Sequence, residues 1–87
     1  MSEPGLLVFP VEFPIKVMGR QNSEVKTLAR RIIEKHAGVL QEDQVRERPS
    51  SASNFLALTF VIEAKSQAQL DAIYGELTAC EAVLMAL

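Results

Sequence analysis

Between residues 54 and 64 the chain reads NFLALTFVIEA, and its side chains divide cleanly by twos. Leu56, Leu58, Phe60 and Ile62 take one face of an extended segment; Phe55, Ala57, Thr59 and Val61 take the other. Both sets are largely apolar, so the pattern predicts a central strand. Residues 12–18 repeat the alternation: Phe13, Ile15 and Val17 point one way, Pro14, Lys16 and Met18 the other, and Gly19 is read as the stop. Between these strands the period changes to that of a helix. Val25, Leu28, Ala29, Ile32, Ile33 and His36 form one stripe, with Asn22 or Ser23 to cap its start and Gly38 its end. A second helix follows residue 66. Ser66 and Gln69 match a capping box, and Leu70, Ile73, Tyr74 and Leu77 supply its apolar stripe. A weak, charged edge strand is expected at about 42–48, then a loop at PSSAS, and the closing CEAVLMAL reads as a fourth strand.

The order β-α-β-β-α-β predicts a ferredoxin-like α+β fold. Its four-stranded antiparallel sheet has the order 4-1-3-2, and both helices lie on one face. Residues 1–10 form an irregular N-terminal arm whose LLVF could dock on the sheet, and residues 11–87 form one domain.

Composition narrows the function classes. Nine basic against 11 acidic residues leave a net charge of −2, so no general basic field exists for nucleic acid. The single cysteine, Cys80, rules out an internal disulfide and a cysteine-based zinc site, and it suits a reducing compartment. No leader pattern and no apolar run long enough to span a bilayer is visible, so a cytoplasmic protein without membrane attachment is expected.

Several stretches carry a resemblance. FPVEFPIKVMG near the start, RIIEKHAG closing the first helix, PSSASNFLALTFVIEA in the middle and the terminal VLMAL resemble the small bacterial YbeD-like proteins over roughly residues 9–87. That resemblance implies a ferredoxin-like fold similar to ACT regulatory domains. It brings no established activity.

Candidate ligand- or partner-binding residues gather on the sheet face opposite the helices. Lys16 should project from the middle of that face beside Phe55, Thr59, Val61 and Met18. It could hold an anion or a partner's carboxylate, or simply lay its methylenes over apolar surface. A contiguous apolar patch there marks an interface unless the arm covers it. Gly19 opens the turn in which ACT domains carry a glycine-containing ligand loop. Ser50 and Ser51, after Arg46 and Arg48, could offer hydroxyls to an anion or merely bond their own backbone.

His36 is explained by its helix end and Cys80 has no activating base in sequence, so no catalytic residue is assigned. Arg20 and Asn22 superficially match an acylphosphatase-like site, but the glycine-rich phosphate loop is missing. Lys26, Arg30, Arg31 and Lys35 read as a solvated helix face. No metal motif or cofactor is expected. The reading is a non-catalytic regulatory or interaction domain. Its partner would be a protein, a second copy, or a small anionic or amino-acid ligand. RNA binding through the open face is the alternative, weakened by a single outward aromatic, Phe55, on the third strand.

Overall fold

The computed structural model describes residues 8–49 and 54–87. Seven elements follow in order: β1 (Val11–Arg20), α1 (Val25–Ala37), a short 3-10 turn (Glu42–Gln44), β2 (Val45–Pro49), β3 (Phe55–Ala64), α2 (Gln67–Ala79) and β4 (Val83–Ala86). The strands make one antiparallel sheet in the order β2-β3-β1-β4, which is the 4-1-3-2 order expected from sequence.

β1 and β3 pair along ten residues each, from Val11 opposite Ala64 to Arg20 opposite Phe55. Opposed residues of an antiparallel ladder share a face. Pairing therefore joins Ile15 and Val17 with Phe60 and Leu58 on one side, all at most 2% exposed. Val25, Ala29 and Ile33 of α1 and Leu70, Ile73 and Leu77 of α2 complete the core. Burying each of the larger side chains contributes about 1.5–3 kcal/mol. Both helices lie on this side, packed on each other and on the sheet.

β1 does not stop at residue 18. Gly19 and Arg20 stay in the ladder, with Gly19 opposite Leu56 on one flank and Val83 on the other. The glycine answers a lack of space. A Cβ built there would sit 2.6 Å from Val25 Cγ2 and 2.7 Å from the Ala82 carbonyl oxygen. A register shift between Met18 and Gly19 accompanies this close approach.

α1 begins at Val25 with Glu24 at its N-cap, past both Asn22 and Ser23. The Ser23 hydroxyl accepts from the Val25 N–H at 3.2 Å and donates to the Arg20 carbonyl at 2.7 Å, tying the strand end to the helix start. Gly38 ends α1 at φ +87°, the left-handed conformation that favours glycine. At α2 the Ser66 hydroxyl accepts from the Gln69 N–H at 3.1 Å, as the capping box requires, while the Gln69 side chain accepts from the Lys65 N–H at 2.7 Å.

The edge strand expected at 42–48 starts later, at Val45. Gln41 and Gln44 cap the intervening 3-10 turn reciprocally. Gln44 also donates to the Val61 carbonyl at 2.9 Å, supplying a partner just past the end of β2. The PSSAS loop, apart from Pro49, and most of the N-terminal arm lie outside the described residues.

Candidate functional site

Among the described residues, no helix lies on the sheet's second face. The registers place its residues in rows running across the strands. Arg46, Thr59 and Lys16 share one row, and backbone hydrogen bonds of 2.9 and 2.7 Å between Lys16 and Leu87 extend it. The next row holds Arg48, Ala57, Met18 and Met85. Beyond it, Arg20 lies opposite Phe55 with its guanidinium carbon 6.0 Å from the ring centroid. In the other direction come Pro14 with Val61, then Glu12 with Glu63. Cations thus run through the rows from Arg20 to Lys16 and Arg46 with apolar side chains between them, and the far end at Glu12 and Glu63 is acidic.

Of the residues picked out in the sequence, Lys16, Met18, Phe55, Thr59 and Val61 come together here. Gly19 does not. It sits on the helix side, buried against Val25, so its role is packing and it offers nothing to a ligand on the open face. Ser50 and Ser51 fall outside the described residues. The alternation also supplies residues that sequence reasoning had not grouped with Lys16. Arg46 and Arg48 belong to the charged edge strand expected from sequence, and their register with β3 puts them beside Thr59 and Ala57.

A groove of about 140 Å³ opens on this face between Lys16, Met18, Ala57, Thr59, Met85 and Leu87. A broader hollow of about 580 Å³ adjoins it and shares Lys16, Ala57 and Thr59, with Arg46, Glu47 and Arg48 on its far side. Met85 and Leu87 are 50% and 68% exposed, so a large part of the groove's apolar wall meets solvent.

Three of the four cations of α1, Lys26, Arg30 and Lys35 but not Arg31, have acidic partners. Lys26 of α1 reaches Glu47 at 2.5 Å. Arg30 bonds Glu34 at 3.2 Å and donates to the Leu40 carbonyl at 2.7 Å. Lys35 meets Glu76 of α2 at 2.6 Å, and His36 meets the other oxygen of that carboxylate at 2.5 Å. The face of α1 expected to be merely solvated is therefore largely tied down. Lys16, Arg20, Arg46 and Arg48 form no ion pair among the described residues, and neither do Arg31 of α1 and Lys65.

These pairings move two acids. The Leu40 N–H, at 2.8 Å, and then Arg30 hold the Glu34 carboxyl below the usual carboxylate range. Hydrogen bonds from Lys35 and then His36 do the same for Glu76. The Arg30–Glu34 pair was visible as an i,i+4 spacing. The Glu76 contacts join two helices and had no local signal.

Among the described residues, no cluster of three or more histidine, cysteine or acidic side chains is arranged to hold a metal ion, and no helix is long and apolar enough to cross a membrane. Cys80 is half-buried at the end of α2.

Comparison with known sequences places this fold in a family. Residues 5–87 match the model of a family described as "Protein of unknown function (DUF493)". A UPF0250 protein of Chromobacterium violaceum is 42% identical over 82 residues, spanning 94% of this chain and 92% of its own. A UPF0250 protein of Neisseria gonorrhoeae is 35% identical over 86 residues, spanning 99% and 94%. One from Ralstonia nicotianae is 36% identical over 74 residues, spanning 85% and 76%. The chain belongs to the DUF493/UPF0250 family of small, YbeD-like bacterial proteins.

Proposed function

We propose that this chain is a non-catalytic interaction domain that docks a partner protein on its helix-free sheet face, in the manner of a regulatory module. The observation that carries this reading is the contrast in charge pairing. Lys26, Arg30 and Lys35 on the helix side have acids of their own chain as partners, whereas Lys16 at the apolar groove and Arg46 and Arg48 at the hollow beside it have none. A partner bringing carboxylates to these cations adds attraction that the free chain lacks, and complementary charge favours encounter and selects the partner. Exposed apolar side chains ringed by polar ones are the usual anatomy of such a surface.

Self-association through this face is disfavoured in the arrangement centred on its middle row. Two copies stacked with strands reversed about the Thr59 row would bring Lys16 over Lys16 and Arg46 over Arg46. RNA is disfavoured too, because Phe55 is the one aromatic ring on the rows of β1 and β3, and Glu12 and Glu63 would repel the backbone at the far end. An enzymatic role has little to build on: His36 and Glu76 are occupied with each other between the helices. A free cysteine suits the reducing bacterial cytoplasm.

Amide NMR spectra of the protein titrated with poly-L-glutamate, and separately with a short single-stranded RNA, test the proposal. Shifts from polyglutamate should gather at Lys16, Arg46, Arg48 and Thr59 and spare Lys26 and Lys35. Shifts spread equally over α1, or a stronger response to RNA across Phe55–Val61, would contradict it.

A further inference from the structure

Resting on that reading of the open face, we infer that the docking element is a short peptide segment with two acidic side chains at alternate positions of an extended stretch and, after a turn, one large apolar anchor. Three observations combine. The groove's 140 Å³ is close in size to cavities that take a single benzene ring, which is room for one leucine- or phenylalanine-sized group and not for a helix face. Its wall is made by Met18, Ala57, Met85 and Leu87, and methionine adapts readily to differing guests.

The cations around it are spread out. Arg46 and Arg48 are two residues apart on β2, about 7 Å along the strand, and Lys16 lies two strands away, about 10 Å across the sheet. Gathering all three on one carboxylate would crowd like charges. Acids at positions i and i+2 of an extended segment recur at the same spacing of about 7 Å as Arg46 and Arg48. The groove lies beside that pair, across the sheet toward β1, so the segment turns after its second acid and brings the anchor back over the groove about three residues on. A single anchor in a pocket, ringed by polar contacts, is also how binding energy concentrates at small interfaces.

The probe is the acetylated peptide Glu-Ser-Glu-Ser-Ser-Leu-Ser, together with its reversed order, a version with Leu replaced by Ala and one with both Glu replaced by Gln. Binding is read by fluorescence anisotropy at low salt and by the methyl signals of Met18 and Met85 in methionine-labelled protein. One of the two orders should bind and shift both methyls. The Ala and Gln versions should each bind about tenfold more weakly or worse. Arg46→Glu and Arg48→Glu should weaken the Glu peptide, while Lys65→Glu, an equal charge change elsewhere on the surface, should act only through net charge. Ala57→Phe, at an exposed strand position where an aromatic is well tolerated, should fill the groove and erase the preference for Leu.

Equal binding of the Leu and Ala versions overturns the anchor and leaves the basic face as a docking surface. Hexanoate alone reproducing the methyl shifts with comparable affinity overturns the peptide and makes the site one for a free amphipathic carboxylate. Failure of both peptide orders while polyglutamate still binds overturns this inference alone. Failure of polyglutamate as well removes the proposed function with it.

Discussion

Gly19 offers a sharp test of how this fold is built, because its role changed between sequence and structure. Replacing it with alanine adds one carbon in a notch closed on two sides. The new Cβ would meet Val25 Cγ2 at 2.6 Å, Val25 Cβ at 2.7 Å and the Ala82 carbonyl oxygen at 2.7 Å. None of these can give way cheaply. Val25 is fully buried in the core, and the Ala82 carbonyl is backbone, one residue before β4. Backbone torsion does not enter, since among the described residues only Gly38 has a positive φ. Overpacking a tight site costs about 1–3 kcal/mol, and the rigidity of both neighbours puts Gly19→Ala at the upper end, about 2–3 kcal/mol. For a domain of this size that lowers Tm by roughly 10–20 °C. Gly75→Ala is the matched control. Its Cβ would meet nothing within 4 Å on the exposed side of α2, so it should stabilise by about 0.5–1 kcal/mol. Thermal and urea unfolding followed by circular dichroism measure both. A Gly19→Ala protein within 0.5 kcal/mol of the parent would refute the packing argument.

Other consequences are equally direct. Ser66→Ala removes the cap at the start of α2 and should cost about 1 kcal/mol in urea unfolding. Tyr74 is the sole tyrosine in a chain without tryptophan, and burial pushes its hydroxyl above the ordinary value of 10.0; absorbance at alkaline pH should show a single midpoint above that value. Tyr74→Phe removes the 2.7 Å bond to the Leu87 carbonyl and should cost about 0.5–1.5 kcal/mol. Glu34 and Glu76 are lowered in the folded state from 4.5, so the stability they add is present above that value and is lost as pH falls through their folded pKa values. Glu34→Gln should therefore flatten the acid limb of a stability–pH profile. An unchanged slope would show that the Leu40 and Arg30 bonds do not hold that carboxylate in solution.

Much of this architecture was legible because alternation of period two assigns faces without knowledge of partners. The division of residues 55–62 into two faces emerged as read, and so did Lys16 and Met18 opposite Ile15 and Val17. Gly19 misled because glycine is both a stop signal and a device for close approach, and only the position of Val25 distinguishes the two. The basic bed around the groove was legible one residue at a time but not as a group. Arg46 and Arg48 alternate in sequence, yet their neighbourhood with Lys16 depends on the register of β2 against β3 and of β3 against β1. Contacts between elements, such as His36 and Lys35 with Glu76, leave no trace in local pattern at all.

The claim that the helix-free face is where this protein meets its partner is tested most directly by photo-crosslinking in living cells. A benzophenone amino acid is placed at Thr59, in the middle of that face, and in a second strain at Thr27, exposed on α1. The account predicts a discrete heavier adduct from position 59 that disappears when Arg46→Glu and Arg48→Glu are added, and none from position 27. Adducts of equal yield from both positions, or a position-59 product of twice the chain's 9.6 kDa, would contradict it.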